Sequence, residues 1–303
     1  MAMNRAQFQK LLWEGLNTVW GLEYASYPEE FKQIFKIEAS KKAWEEDQLV
    51  TGFGAAVVKP EGAAVTYDEA AQAWTARYVH EEISLAFAIT QVAIEDNLYM
   101  SMGAKYARAL ARSMQHTQEI KGAAVLNNGF SSSYVGGDGV ALFSDSHPLA
   151  GGGTQSNLLS TPADISETAI EDLLVKIRKA KDDRGIPIAL KAVDVIIPPE
   201  LEFTACRLLD SSLRTNTADN DINAINKKGI FGRDPVIVTR LTDANAWFIK
   251  TDAQEGLKMF NRLAVNTKME DDFNTGNFRF KARARYSFGW SDFRGAFGSA
   301  GST

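Results

Sequence analysis

Asn277-Phe278-Arg279-Phe280-Lys281-Ala282-Arg283-Ala284-Arg285-Tyr286 alternates apolar and basic residues without a break. Successive side chains of a strand point to opposite faces. The spacing therefore predicts a β-strand with Phe278, Phe280, Ala282, Ala284 and Tyr286 on a core face and Arg279, Lys281, Arg283 and Arg285 on the other. The basic face has three open readings: protection of a sheet edge from aggregation, a contact between subunits, or a surface turned to packaged nucleic acid. One strand buries little by itself, so the rest of the chain must supply a sheet and a covering layer.

The longest helical pattern runs from about Asp96 to Leu126, with Tyr99, Met102, Tyr106, Ala109/Leu110 and Ser113/Met114 as its apolar stripe. Lys105, Arg108, Arg112, Gln115 and Glu119 fall mostly outside that stripe. Asp96 or Asn97 suits an N-cap, and Asn127-Asn128-Gly129 is a stop signal. Before it, residues 4–20 space Phe8, Leu11, Leu12, Leu16 and Val19 as a short amphipathic helix, with Trp13 and Trp20 added. Residues 24–47 mix aromatics with charge, and the region reads as an arm needing a surface to lie on. Between arm and long helix, Leu49–Val65 reads as β-like runs around the turn Lys59-Pro60-Glu61-Gly62, and Trp74–Ile89 as a second β-rich segment. Such a hairpin, with Phe53, Lys59 and Glu61 near its tip, is marginal without a neighbour.

Residues 129–160 are rich in Gly and Ser and read as a linker. Beyond them, a helix from about 162 to 183, a strand at 192–197, a helix from 199 to 209 and strands at 235–239 and 246–249 indicate an α/β unit between about 161 and 267.

The chain has 303 residues, 45% apolar and 23% charged, with a net charge of −5. Disorder and collagen-like repetition are excluded, and mild acidity argues against a protein whose main task is gripping phosphates. The single Cys206, in a helical context, excludes disulfide frameworks and four-cysteine zinc sites, and is expected to be buried. No cofactor or metal is expected, because His80, His116 and His147 have no ligand-spaced companions. No stretch has the length and apolarity of a membrane span or signal peptide, which predicts synthesis in the cytoplasm. Asp145-Ser146-His147 contains triad residue types, but consecutive side chains cannot place the base between its partners, so a soluble hydrolase is a weak rival. Gly136-Gly137-Asp138-Gly139 and Gly151-Gly152-Gly153 lack the context of a phosphate cradle and read as loops. The clusters Glu45-Glu46-Asp47 and Glu270-Asp271-Asp272 are either solvated faces or partners for basic ladders.

Gly137-Asp138-Gly139-Val140-Ala141-Leu142-Phe143-Ser144-Asp145-Ser146-His147-Pro148-Leu149, Trp247-Phe248-Ile249-Lys250, Gly256-Leu257, Asn277-Phe278-Arg279-Phe280 and Tyr286-Ser287-Phe288-Gly289-Trp290 resemble the major capsid proteins of tailed bacteriophages, in particular the Mu-like prophage major head subunit group. The resemblance covers nearly the whole chain. It implies an α+β fold with an N-terminal arm at 1–47 and an extended loop at 48–82. A peripheral domain follows from 83–160 and 268–303 around a spine helix at about 96–126, with an axial domain at 161–267.

It also implies a non-enzymatic subunit that builds hexamers and pentamers of an icosahedral head around double-stranded DNA. Assembly in the host bacterial cytoplasm would use separate scaffolding and portal proteins, with decoration proteins as possible additions. An encapsulin-like cargo shell is the alternative on the same fold. Phe8, Trp13, Trp20, Phe53, Lys59, Glu61, Arg279, Lys281, Arg283 and Arg285 are the candidate subunit contacts. Removal of residues 1–40 is expected to leave a folded subunit that cannot form stable shells.

Overall fold

A computed structural model describes residues 5–90, 92–93, 99–214, 221–232, 234–272 and 276–302, with 5–12 and 99–101 as backbone only. The chain opens with helix α1 (Arg5–Ser26), a single turn α2 (Phe31–Ile34), and strands β1 (Lys36–Ala39), β2 (Trp44–Val50), β3 (Gln72–Val79) and β4 (Glu81–Ile89). The long helix α3 (Tyr99–Asn127) follows, then the short strands β5 (His147–Pro148) and β6 (Thr154–Gln155). Next come α4 (Glu167–Lys179), β7 (Ala192–Ile197), α5 (Glu202–Asp210), α6 (Ala224–Lys228), β8 (Val236–Ile237) and β9 (Trp247–Thr251). The chain closes with β10 (Leu257–Asp271), β11 (Phe278–Trp290) and β12 (Ala296–Ser299).

The alternating segment forms β11 with the expected facing: Phe278, Phe280, Ala282, Ala284 and Tyr286 are all buried. It lies inside a four-stranded sheet of order β1-β10-β11-β4, antiparallel to both neighbours, with β1 parallel to β10. An interior strand has no free edge, so the edge-protection reading of its cations falls. Helix α3 covers the apolar face of this sheet. Its 29 residues make it about 43 Å long.

The buried side of α3 keeps Leu110 and Met114 of the expected stripe and departs from it elsewhere. Met102 and Tyr106 are exposed, while Ala107, Leu110, Ala111, Met114, Ala123 and Leu126 are buried, and so are Gln115, Gln118 and Glu119. Small and polar residues take the inner face because another helix and a polypeptide turn press against it. The proposed cap, Asp96 or Asn97, lies outside the described residues.

The surface on which the arm lies belongs to its own chain. Leu16, Trp20, Phe31, Ile34 and Phe35 join the core formed by α3 and the first sheet, and β1 adds a strand to that sheet. Deleting 1–40 would therefore remove core side chains and a strand, so a folded remnant is no longer expected.

The second sheet has the order β12-β9-β7-β8. Val195, Ile197, Trp247, Ile249 and Phe297 point into a core under α4, α5 and α6, whereas Ile196, Phe248, Val236 and Ala296 point into the first core. A sheet covered on both faces explains the uninterrupted apolar runs at 195–197 and 247–249. Ser166 caps α4 by accepting from the Ala169 amide at 3.3 Å. Two expected boundaries move. Position 267 falls inside β10, which pairs with β11 along its length, so the chain has left the α/β unit by Leu257. After Trp290 it returns, because β12 pairs with β9.

The supposed linker is anchored in the interior at several points, although much of it stays at the surface. Leu142, Phe143, His147 and Asn157 are buried between the sheets. Asn157 Nδ2 donates to the carbonyls of Leu142, Phe293 and Ala296, and its Oδ1 accepts from the Ser144 amide. Gly137 is required here, since a Cβ would lie 2.7 Å from the Thr75 carbonyl oxygen. Cys206, expected to be buried, is exposed on α5, its thiol donating to Asp210 Oδ2 at 3.1 Å. Phe203, Cys206 and Arg207 share the outer face of that helix, while Ala205 and Leu209 take the inner one.

Candidate assembly surfaces

The cations of β11 form a column across the uncovered face of the first sheet. In register with them, β10 places Glu270 beside Arg279, Lys268 beside Lys281 and Asn266 beside Arg283, while β4 places Glu82 beside Arg285. Arg283 pairs with Glu82 at 2.7 Å, and Arg279 pairs with Asp272. Lys281 and Arg285 make no ion pair among the described residues. Lys281 lies directly opposite Lys268, and like charges so placed repel one another. Lys268 in turn pairs with Glu270 at 3.6 Å, so Lys281 and Arg285 are the cations of the column left without an ion pair among the described residues. The acidic run of β2 is absorbed in the same way. Asp47 pairs with the buried Lys258 at 2.6 Å, Glu46 approaches Arg77 at 3.8 Å, and Glu45 accepts from Ser40 at 2.8 Å.

The hairpin is paired only at its base. Trp44–Val50 and Gln72–Val79 form the antiparallel ladder, and Thr51 closes it through its amide and hydroxyl to the Ala71 carbonyl, at 2.8 and 2.9 Å. The expected strands flanking the turn do not form. Residues 52–70 interleave Gly and Ala with larger side chains that stand in solvent, with no layer beneath them to pack on. The turn itself is as expected, with the Ala63 amide donating to the Pro60 carbonyl and Gly62 at φ +79°.

The loop's apolar side chains stand in solvent: Phe53, Val57, Val65, Val58 at 95% exposure and Tyr67 at 93%. Lys59 and Glu61 at the tip are exposed as well. One clasp holds the loop to the rest of the chain. Asp68 accepts two bonds from Arg184 Nη2, at 2.6 and 2.8 Å, and one from the Gly54 amide at 2.6 Å. The Gly54 amide and then the guanidinium hold the Asp68 carboxyl below its ordinary range. Asp68 and Arg184 are 116 residues apart, and no spacing rule connects them.

The arm is held to α3 by polar residues of that helix, two of which, Gln115 and Glu119, the helical period had placed outside the buried stripe. Gln115 Nε2 donates to the Tyr27 carbonyl at 3.1 Å, Tyr24 Oη donates to Gln118 Oε1 at 2.9 Å, and Glu119 Oε2 accepts from the Phe31 amide at 3.2 Å. Burial, with nearby Glu30, pushes the Glu119 carboxyl up to about 7. Glu30 itself pairs with Arg240 at 3.0 Å and accepts from Thr239. Of the proposed arm contacts, Trp20 is buried in the chain's own core, stacked on Tyr24 at 4.9 Å, and Trp13 is partly exposed. Phe8 lies on α1, its side chain outside the described residues.

His147 is fully buried. Its ring stacks on Phe293 at 3.8 Å and bonds Asp138 Oδ2 through Nδ1 at 2.6 Å, while Nε2 has no partner among the described residues. Ser146 instead lies 3.4 Å from Ser144. A nucleophile must share a hydrogen bond with its base, so the hydrolase reading lacks its geometry. His80 bridges Ser287 and Ser40 at 3.0 and 2.9 Å, and burial lowers its pKa. Among the described residues no group of His, Cys, Asp and Glu could hold a metal ion, and no helix is long and apolar enough to cross a membrane.

A long helix across a β-sheet, a second sheet walling two cores and a hairpin projecting into solvent define a shell-subunit fold, and solved structures agree. The virus-like particle of Pyrococcus furiosus superposes with a TM-score of 0.53 at 12% identity, over 94% of this chain and 98% of that one. The procapsid of bacteriophage JBD30 gives 0.54 at 16% identity, over 99% and 77%. The capsid of an empty GTA particle gives 0.53 at 13% identity, over 88% of each chain. At these identities the likeness shows the fold alone. The family model described as phage capsid protein matches residues 75–298, and the chain belongs to that family. These matches do not single out the Mu-like subgroup. No curated protein matches the chain.

Proposed function

We propose that this major capsid subunit assembles into hexamers and pentamers of an icosahedral head enclosing double-stranded DNA, and that it has no catalytic turnover. The carrying observation is the loop at 52–70, whose apolar side chains are exposed. Surface of that kind is retained where another chain covers it. The proposed division keeps the arm and loop as connecting devices around a peripheral unit built on α3 and an axial unit built on the second sheet. Rings of five and six from one sequence need heterologous contacts that tolerate small changes of angle. A long loop anchored at its base meets that need. The basic column, in which Lys281 and Arg285 make no ion pair among the described residues, suits contact with DNA phosphates without sequence preference. Scaffolding and portal proteins are the further partners of this reading, and the host bacterial cytoplasm is its place of assembly.

Negative-stain electron microscopy of the purified protein, together with measurement of bound nucleic acid, tests the proposal. Closed shells or five- and six-membered rings are expected. A protein that stays monomeric at high concentration, with or without crowding agents, overturns it. Closed shells holding protein cargo and no nucleic acid would replace the phage head with a cargo shell.

A further inference from the structure

The second core carries a groove of about 790 Å³ between the C-terminal half of α4, the start of β7 and α6. Its floor is apolar, with Leu174, Ile177, Ile225 and Ile230 among the lining residues, and four cations rim it: Arg178, Lys179, Lys191 and Lys228. None of the four makes an ion pair among the described residues, and Glu171 is the one acid in the lining. At the other end of β7, α5 presents the reverse pattern. Phe203 is 74% exposed, and Glu200 and Glu202 flank it in solvent, also without ion pairs among the described residues.

From this complementarity we propose that Phe203 and its flanking glutamates on one copy of the chain dock into the cation-rimmed groove of the next copy. An aromatic anchor in an apolar pocket, ringed by opposite charges, is the usual composition of a strong interface centre. Groove and anchor are separated by the length of β7, about 20 Å, so one chain cannot satisfy its own groove. The two patches also differ, so the contact is heterologous and runs head to tail, closing into rings. This contact rests on the shell-subunit reading and specifies which surfaces would meet around a ring.

Cys206, the chain's one cysteine, lies three residues beyond Phe203 on the same exposed face, and Lys191 stands on the groove rim. In assembled Lys191→Cys protein, a short bismaleimide should join Cys206 of one copy to position 191 of the next, giving a ladder of covalent oligomers on a denaturing gel. The parent chain with Cys206 alone should give none. Phe203→Ala should lower the assembled fraction about tenfold with unchanged melting temperature. Glu200→Lys with Glu202→Lys should do the same, and Arg178→Glu with Lys228→Glu in that background should restore assembly. Shells that assemble normally from Phe203→Ala and yield no ladder from the cysteine variant overturn this contact and leave the shell reading intact. Parent protein that forms neither shells nor rings removes the shell reading itself.

Discussion

The loop at 52–70 and the segment at 136–157 invert what their compositions suggest. The loop carries valines, alanines, Phe53 and Tyr67 and is exposed almost throughout. The segment is made of Gly, Ser, Asp, Asn and His around one short apolar run, and it buries Leu142, Phe143, His147 and Asn157. Burial in the second case is tolerable because its polar groups find partners inside the chain: His147 on Asp138, and Asn157 on three carbonyls and an amide. Exposure in the first case is accounted for by the proposed shell, in which a neighbour would cover the loop. Polarity alone did not decide which side chains lie inside. What decided it was whether the hydrogen-bonding and apolar demands of each are met by its own chain or by another.

The strongest way to break the comparison is to remove the internal partners of the polar segment. Asn157→Ala removes the acceptor of the Ser144 amide and the donor shared by the Leu142, Phe293 and Ala296 carbonyls, of which Phe293 keeps the Ala296 amide. Leaving several buried groups unpaired should cost roughly 3–5 kcal/mol. The melting temperature of the subunit should fall by about 10 °C, as calorimetry would measure. A near-neutral result would mean that water replaces the side chain and that the segment is less sealed than its burial indicates.

Legibility in the sequence follows the same division. Strand β11 was readable because its period of two coincides with one buried face, and the Val195–Ile197 and Trp247–Ile249 runs because both faces of their sheet are covered. The inner face of α3 was misread at Gln115 and Glu119, since their burial depends on an arm some ninety residues earlier in the chain. The Asp68–Arg184 clasp and the burial of His147 are long-range facts of the same kind. The exposure of Cys206 is a matter of which side of a short helix faces the core. The candidate contacts at Phe53, Lys59 and Glu61 do lie on the solvent-facing loop, whereas Trp20 is occupied by the chain's own core.

A moderate effect is expected at Glu119, which belongs to the internally satisfied group but is paired at only one oxygen. Its carboxyl is raised from 4.5 to about 7, so between those values the folded chain holds a proton that the unfolded chain has released. Stability therefore declines as pH rises from about 4.5 to 7 and is flat in this respect above that window. Glu119→Gln keeps an acceptor for the Phe31 amide and cannot ionise. It should flatten the slope of melting temperature against pH across the window and raise stability at pH 8. A variant as pH-sensitive as the parent would assign the slope to another group.

The smallest effect on the isolated subunit should come from the loop, and this makes the loop the sharpest test of the comparison. Val58→Asp with Tyr67→Asp places two charges where apolar side chains now stand in water, so nothing internal is lost and the subunit's stability should change by less than about 0.5 kcal/mol. A neighbour that covers those positions would have to desolvate both carboxylates, which is costly without a paired cation. Assembly, followed by sedimentation and negative-stain microscopy, should therefore fail while circular dichroism and melting temperature stay at parent values. Loss of folding would place the loop among the internally satisfied segments. Normal shells would mean that its apolar side chains remain in solvent after assembly, and the contacts that close the shell would then have to lie on the axial unit and the basic column.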